Sequence, residues 1–428
     1  MEAAHANETT ARLAWLDALR GLAAMAVAFH HATYHYTPQL RARLTAWFDP
    51  GMYGVLVFFL VSGYIIPASL ERSGSLPRFW VGRAFRIYPL LLFALAAITA
   101  IAAVGLWPLR DGLQEMSGWV ATLAHLTMLQ DLLAVPNALN VLWTLSYEMV
   151  FYLMVAALFA VGLHRRSAGV AGGLAVAAAA AVPLSGLLPA SALVAAAGLA
   201  PVVAVAAAVL AVAIGCTFSE RPAVRTTGAV LGGVLAAVLL TANTRVPLWE
   251  SLIILAVMFA GTAIHRAEHG QITVRGAAIG GALVLTIAVA AGVWHAGGWN
   301  LPDDRVLALR RSWTAAVLLA AATFAAGMAL RRRRIPRWLT GLGVISYSIY
   351  LMHPVLLVTA DATFGRPGSD APWWLAVFLA VLIPVSLLTY RTVEEPARRL
   401  GRTVARRLPP GARRADASAR PRQPADRR

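Results

Sequence analysis

The first long apolar stretch of the sequence, near residues 14–35, contains ionisable side chains that are costly in lipid: Asp17, Arg20, His30 and His31. Such groups inside a membrane span are candidates for function by default. An α-helix turns by about 100° per residue, so Arg20 and His31 lie on one face, about 16 Å apart along the axis. A histidine is suited to act as a general base near neutral pH. The simpler interpretation is that Asp17 and Arg20 form an ion pair at the membrane interface.

Two later apolar stretches also carry polar side chains at helical spacing. The segment WTLSYEMVFYLM places Glu148 one turn before Tyr152. The segment ISYSIYLMHP places Ser346, Tyr350 and His353 on one face, and the proline that follows is expected to bend the helix. A structural role is as plausible as a chemical one for Glu148, which could pair with Arg20 or His31. A lone histidine such as His353 is more often a satisfied polar core residue than a catalyst.

Arg83 and Arg86, in the segment RFWVGRAFRIYPLL, are three residues apart and therefore lie on one helix face. Guanidinium groups bind phosphates through paired hydrogen bonds, which makes the two a candidate phosphate site. The alternative is an arginine anchor at the membrane boundary with a belt of aromatic residues.

The composition indicates a membrane protein. The chain has 428 residues, of which 59% are hydrophobic and 13% charged. Soluble domains average about 45–50% apolar and about 25% charged residues. All 37 basic residues are arginine and the formal net charge is +17. Their positions argue against nucleic acid as a partner, because they are not gathered on one solvated face. One cysteine, Cys216, excludes an intrachain disulfide and cysteine-based metal sites; no metal is expected.

The elements that must position these residues are predicted to be transmembrane helices. A span needs about 20 mostly apolar residues, and twelve stretches qualify. Ten or eleven spans are the alternative, because Pro183 and Pro189 interrupt the region of the fifth and sixth stretches. The fold class is therefore all-α, a polytopic bundle of about 10–12 spans with no soluble domain. The twelve stretches lie near 14–35, 53–70, 86–106, 142–163, 168–189, 191–215, 226–242, 248–264, 273–294, 312–330, 341–360 and 373–391.

The arginines predict the orientation. With twelve spans and a cytoplasmic N-terminus, 28 arginines fall on the inner side and eight on the outer side, in agreement with the positive-inside rule. We expect a multi-pass plasma-membrane protein with both termini cytoplasmic. Its parts are a cytoplasmic segment (1–13), a membrane domain (14–395) and a disordered tail rich in arginine and proline (396–428). The first span is not expected to be a cleaved signal peptide.

Together these segments resemble the acyltransferase-3 family of integral membrane acyltransferases. The resemblance covers nearly the whole chain before the tail. It is carried by Leu16-Asp17-Ala18-Leu19-Arg20-Gly21 with His31, Phe58-Phe59-Leu60-Val61-Ser62-Gly63-Tyr64, Arg83-Ala84-Phe85-Arg86-Ile87-Tyr88-Pro89, Trp143-Thr144-Leu145-Ser146-Tyr147-Glu148 with Phe151-Tyr152, Ser346-Tyr347-Ser348-Ile349-Tyr350-Leu351-Met352-His353-Pro354, and Glu395-Pro396.

The resemblance implies transfer of an acyl group, usually acetyl from acetyl-CoA, to a hydroxyl of a carbohydrate or glycosylated small molecule. It implies that His31 is catalytic with Arg20 as its partner, that Arg83 and Arg86 serve the acyl-CoA, and that other polar residues complete the core. Those residues are Glu148, which is expected to be catalytic with His31 and Arg20, and the supporting polar residues Asp17, Tyr350 and His353. Met149 stands where many relatives have a second acidic residue, and the esterase-like domain of some relatives is not expected here.

The expected mechanism has His31 as general base on the acceptor hydroxyl, with Arg20 or Tyr350 stabilising the oxyanion. An acyl-histidine intermediate is the rival route. The main alternative from another class is a secondary transporter, for which many spans and intramembrane charges are ordinary. A membrane sensor or scaffold is the third functional class. Consumption of acetyl-CoA distinguishes the enzyme from the other two.

Overall fold

A computed structural model describes residues 2–184, 191–243, 246–298 and 301–408, with side chains from residue 14 onward. The secondary structure within these ranges is helical and includes no β-strand. The first nine helices are α1 (Glu2–Tyr36), α2 (Pro38–Thr45), α3 (Pro50–Ser73), α4 (Leu76–Ala103), α5 (Gly118–Thr127), α6 (Trp143–Ala160), α7 (Ser167–Ala181), α8 (Ala192–Ala197) and α9 (Leu199–Cys216). The others are α10 (Pro222–Ala242), α11 (Leu248–Glu268), α12 (Val274–Gly297), α13 (Asp303–Leu330), α14 (Arg337–Val344), α15 (Ser346–Phe364), α16 (Pro372–Thr389) and α17 (Glu395–Arg407), the last two joined by a π-helical turn, Tyr390–Glu394.

Nine helices of the described ranges are long and apolar enough to cross a membrane, and α14 with α15 can form a tenth. The nine are α3, α4, α6, α9, α10, α11, α12, α13 and α16 with its continuation to Arg407. The chain is therefore an all-α, multi-pass membrane protein, as predicted. Two of the twelve predicted spans are not among these helices. One is α1, which carries the ionisable residues, and the other is α7, which has 15 residues and whose predicted extension lies partly outside the described ranges.

Helix α1 lies inside the bundle, in contact with α3, α13, α14, α15 and α16. Its approach to α14 is set by glycine. A Cβ atom added at Gly343 would lie 1.9 Å from the backbone oxygen of Asp17, and one at Gly21 would lie 2.8 Å from the nitrogen of Gly343. Small residues allow two helix backbones to meet in this way. The close contact fixes the segment of α1 that carries Asp17 and Arg20.

Helices α3 and α11 form a second close pair and are among the most buried spans. A Cβ atom at Gly63 would lie 1.8 Å from the oxygen of Met258, and one at Gly261 would lie 2.3 Å from the oxygen of Leu60. The Thr262 hydroxyl also donates a hydrogen bond of 2.8 Å to the Gly63 carbonyl. These contacts fix α3, which supplies much of the wall of the site described below.

Two sequence expectations are corrected here. The bend in the 341–360 stretch is 66° and lies at Ile345, between α14 and α15, whereas Pro354 lies within α15. The close packing of Gly343 on α1 places the break before Ser346. The tail predicted as disordered from residue 396 instead continues as α17 to Arg407, because Gly401 packs against Phe85 of α4. Residues 409–428 of that prediction lie outside the described ranges.

Candidate active site

A cavity of about 140 Å³ lies between α1, α3, α4, α6 and α15. We call it the arginine cavity because Arg20, Arg83 and Arg86 line it, together with Glu148. The hydroxyl groups on its wall belong to Ser62, Thr144, Tyr347 and Tyr350, and the rest of the wall is largely apolar: Val55, Phe58, Phe59, Val61, Ile65, Ile66, Ile87 and Leu145. Five of the eight residues singled out from the sequence thus border one space, although they come from four separate helices.

The charges of the arginine cavity are unbalanced. Within the described ranges, none of its three arginines forms an ion pair with a carboxylate, and the Arg83 Nε atom is buried with no hydrogen-bond partner. The Arg83 guanidinium lies 5.8 Å from the centre of the Tyr152 ring. The Tyr152 hydroxyl in turn donates a hydrogen bond to Glu148. Cations without a direct ion pair are costly in a low-dielectric site, so the cavity is suited to an anionic ligand such as a phosphate.

The charged neighbours of Arg20 come from three parts of the chain: Asp17, Arg86, Glu394 and Arg398. Glu394 is 2% exposed and lies at the end of the π-helical turn. It accepts a hydrogen bond of 3.0 Å from the Ser348 hydroxyl, and its Oε1 atom lies 3.6 Å from the Nη1 atom of Arg398. Single π-turns often occur at functional sites. Sequence reasoning missed Glu394 and noted only Glu395 beside it; a carboxylate ending an apolar stretch was the signal.

His31 lies near the other end of α1 and contacts a histidine of α15. The Nδ1 atom of His31 is 2.9 Å from the Nε2 atom of His353, and the two rings are nearly parallel. The Nδ1 atom of His353 is 3.0 Å from the carbonyl oxygen of Ile349. A carbonyl only accepts, so His353 donates from Nδ1 and, when neutral, accepts at Nε2. His31 therefore donates from Nδ1 and has an unprotonated Nε2.

The histidine pair and the arginine cavity are adjacent but distinct. His31 and His353 do not line the cavity, whereas Tyr350 does. The Tyr350 ring is 6.1 Å from that of His353 and 5.4 Å from that of Phe58. Its hydroxyl hydrogen-bonds with Thr144 (2.8 Å) and donates to the Val141 carbonyl. Tyr350 thus connects the two regions.

Several predicted partnerships do not form. Arg20 and His31 share a face of α1 but make no contact, and the side chain against His31 is His353. Glu148 lines the arginine cavity and accepts a hydrogen bond from Tyr152, but pairs with neither Arg20 nor His31. Asp17 is a charged neighbour of Arg20 without a direct ion pair. No group of three metal-binding side chains occurs in the part of the chain that the structure describes.

Comparison with known proteins gives several partial matches. The chain is 28% identical to nodulation protein 10 of Rhizobium leguminosarum over 36% of its own length and 46% of the relative's. It is 29% identical to the peptidoglycan O-acetyltransferase OatA of Listeria monocytogenes over 32% of its own length and 23% of the relative's. It is 33% identical to the acyltransferase MdmB of Streptomyces mycarofaciens over 33% of its own length and 38% of the relative's. The matches therefore span less than half the length of these relatives, and no solved structure matches the chain.

The family comparison covers far more of the chain. A family described as an acyltransferase domain matches residues 13–391, from the start of the described side chains in α1 to the π-helical turn. This range contains the arginine cavity and the His31–His353 pair. The chain belongs to the acyltransferase-3 family.

Proposed function

We propose that this protein is a membrane O-acyltransferase that moves an acetyl group from acetyl-CoA to a hydroxyl of a carbohydrate or glycosylated small molecule. The proposal rests on two hydrogen bonds: His31 Nδ1 donates to His353 Nε2, and His353 Nδ1 donates to the Ile349 carbonyl. These bonds leave a basic nitrogen near one end of α1. The names of two relatives, a peptidoglycan O-acetyltransferase and an acyltransferase, agree with the reaction class.

The arginine cavity is proposed to hold the acyl-CoA. The phosphates of coenzyme A require cations, and Arg20, Arg83 and Arg86 face one space without ion-pair partners. The apolar wall, with Phe58 beside Tyr350, suits the pantetheine arm. Glu148 would accept a hydrogen bond from an amide of that arm.

His31 is proposed to act as the general base. Its Nε2 atom takes the proton of the acceptor hydroxyl while the hydroxyl oxygen attacks the thioester carbonyl. The carbon–sulfur bond then breaks, and the thiolate takes the proton back from His31. The products are an acetyl ester and free coenzyme A. His353 stays neutral and accepts from His31 Nδ1 throughout, which stabilises the imidazolium. Tyr350, whose ring lies 6.1 Å from that of His353, is the nearer of the two predicted oxyanion donors, and its hydroxyl would exchange the bond to the Val141 carbonyl for one to the oxyanion.

The orientation follows from the donor. Coenzyme A is cytoplasmic, so the end of the bundle that carries Asp17, Arg86 and α17 is proposed to face the cytoplasm. The end that carries α2 would then face outward, and the acceptor would approach His31 from that side. With the twelve spans predicted from the sequence, the same orientation gives 28 arginines inside and eight outside. We propose the plasma membrane as the location.

The test is acetyl transfer by the purified protein in lipid nanodiscs. With radiolabelled acetyl-CoA and bacterial envelope glycans, we expect a labelled ester, identified by mass spectrometry as a gain of one acetyl group. We expect His31→Ala to abolish the transfer while the folded variant still binds coenzyme A. A transporter would leave acetyl-CoA intact. Wild-type transfer by His31→Ala would contradict both direct transfer and the rival acyl-histidine route.

A further inference from the structure

The short helix α2 follows α1 directly and is held by a carboxylate from the other end of the sequence. Asp370 accepts hydrogen bonds from the backbone amides of Gln39 (2.8 Å) and Leu40 (2.9 Å). These amides lie in the first turn of α2, where no intrahelical acceptor exists. The amide of Ala371 also donates to the Tyr36 carbonyl (2.8 Å). The position of α2 relative to the last turn of α1 is therefore fixed.

The other carboxylates near His31 are already engaged. Asp361, whose side chain is fully buried, is 2.8 Å from His35 Nδ1 and also pairs with Arg366. Asp49 lies 3.2 Å from His30 Nδ1 and accepts a hydrogen bond from a backbone amide at the start of α3. Each of these carboxylates thus already lies against a basic side chain, a histidine or Arg366.

Arg41 of α2 is a further cation at this end of the bundle. It forms no ion pair within the described ranges, and its Nε atom is buried without a hydrogen-bond partner. Its guanidinium lies 5.3 Å from the centre of the Tyr34 ring, beside which Arg366 also lies, at 5.4 Å. Tyr34 follows His31 by three residues in α1, about one helical turn, so Arg41 lies against the turn of α1 that follows the candidate base. It is thus a fixed, unpaired cation next to the candidate base.

We infer that Arg41 binds an anionic group, a carboxylate or a phosphate, of the acceptor, whose hydroxyl is then presented to Nε2 of His31. The inference rests on the proposed function and narrows it, because it assigns the acceptor to negatively charged sugars or sugar conjugates. The planar guanidinium suits either anion, since both offer two oxygens for paired hydrogen bonds. The arginine cavity and Arg41 then serve different substrates at opposite ends of α1.

The test measures binding, so it does not depend on turnover. The full chain in nanodiscs is titrated with methyl glucuronide, glucose 6-phosphate and neutral methyl glucoside. We expect at least one of the two anionic sugars to bind wild type about ten- to a hundredfold more tightly than the neutral sugar. Arg41→Gln should abolish this preference. Arg43→Gln, on the exposed side of the same helix, is the matched control and should keep it.

A second readout locates the bound sugar. The preferred anionic sugar should protect His31 from carbethoxylation by diethyl pyrocarbonate in wild type and in Arg43→Gln, but not in Arg41→Gln. Equal affinity for charged and neutral sugars in wild type, or a charge preference that survives in Arg41→Gln, overturns the inference. Failure of the proposed function is seen separately, as absence of acetyl transfer while the binding preference persists.

Discussion

The proposed basicity of His31 depends on a side chain 322 residues away in the sequence. His353 accepts from His31 Nδ1 only because its own Nδ1 atom is committed to the Ile349 carbonyl. A glutamine at this position can place its amide oxygen where Nε2 now lies, whereas phenylalanine cannot accept. The identity of residue 353 should therefore set the tautomer of His31 rather than the binding of the donor.

We expect His353→Phe to lower kcat by at least about a hundredfold, within the range for loss of general-base catalysis. His353→Gln should recover much of that loss. The KM for acetyl-CoA should change little in either variant, because residue 353 does not line the arginine cavity. Steady-state kinetics in nanodiscs measure both constants. Equal impairment of the two variants would show that His353 has only a packing role.

The arginines of the cavity give the opposite kinetic pattern. Each of Arg83→Ala and Arg86→Ala should raise the KM for acetyl-CoA about ten- to a hundredfold, the usual effect of removing a charge-assisted hydrogen bond. Arg78→Ala is the control: it lies on the same helix, but its guanidinium donates to the Leu408 carbonyl (2.6 Å). A similar KM increase in Arg78→Ala would mean that net charge, and not the cavity, governs donor binding.

Sequence spacing predicted some of this site and not the rest. Helical periodicity predicted Arg20 and His31 on one face of α1, and the family resemblance singled out Arg83, Arg86 and Glu148, which line one cavity. The same periodicity could not identify partners across helices, such as His353 for His31. Glu394 was missed because its burial depends on the π-helical turn and on the contact with Ser348, and neither is visible in a hydropathy pattern.

At the scale of the element, hydropathy predicted most spans, while contacts between helices decided the exceptions. The bend at Ile345 and the continuation of α17 to Arg407 both follow from close packing at a glycine, Gly343 or Gly401. Glycines are also common in loops and in exposed helix faces, so their presence alone did not indicate which ones support packing. The distance that an added Cβ atom would have to its neighbours distinguishes the two kinds.

This distinction predicts opposite effects of two glycine substitutions within helices. Gly63→Ala should destabilise the fold by at least about 1–3 kcal/mol, because the new Cβ atom would meet the Met258 carbonyl. Gly173→Ala in α7 has open space and should be neutral or stabilising by up to about 1 kcal/mol. Thermal unfolding in one detergent compares the two. The packing explanation fails if Gly63→Ala unfolds at the wild-type temperature.

At the scale of the whole molecule, the polar groups divide between the two ends of α1. The arginine cavity, Glu394 and α17 lie towards the end that carries Asp17. The His31–His353 pair, Arg41 and the engaged carboxylates lie towards the end that carries α2. A reaction between a cytoplasmic donor and an external acceptor requires such a division, because the nucleotide head of coenzyme A cannot cross the bilayer. The orientation of the bundle is therefore a prediction of the proposed function.

The single cysteine of the chain makes this orientation measurable. In a Cys216→Ser background, Arg43→Cys on α2 and Arg399→Cys on α17 introduce one thiol at each end; the native Arg399 side chain is 73% exposed. A membrane-impermeant maleimide should label Arg43→Cys in cells whose inner membrane is intact, and Arg399→Cys only after that membrane is permeabilised. The parent without cysteine controls for background. The reverse pattern would place the arginine cavity on the outer side, where acetyl-CoA is absent, and would refute acetyl-CoA as donor while leaving the fold unaffected.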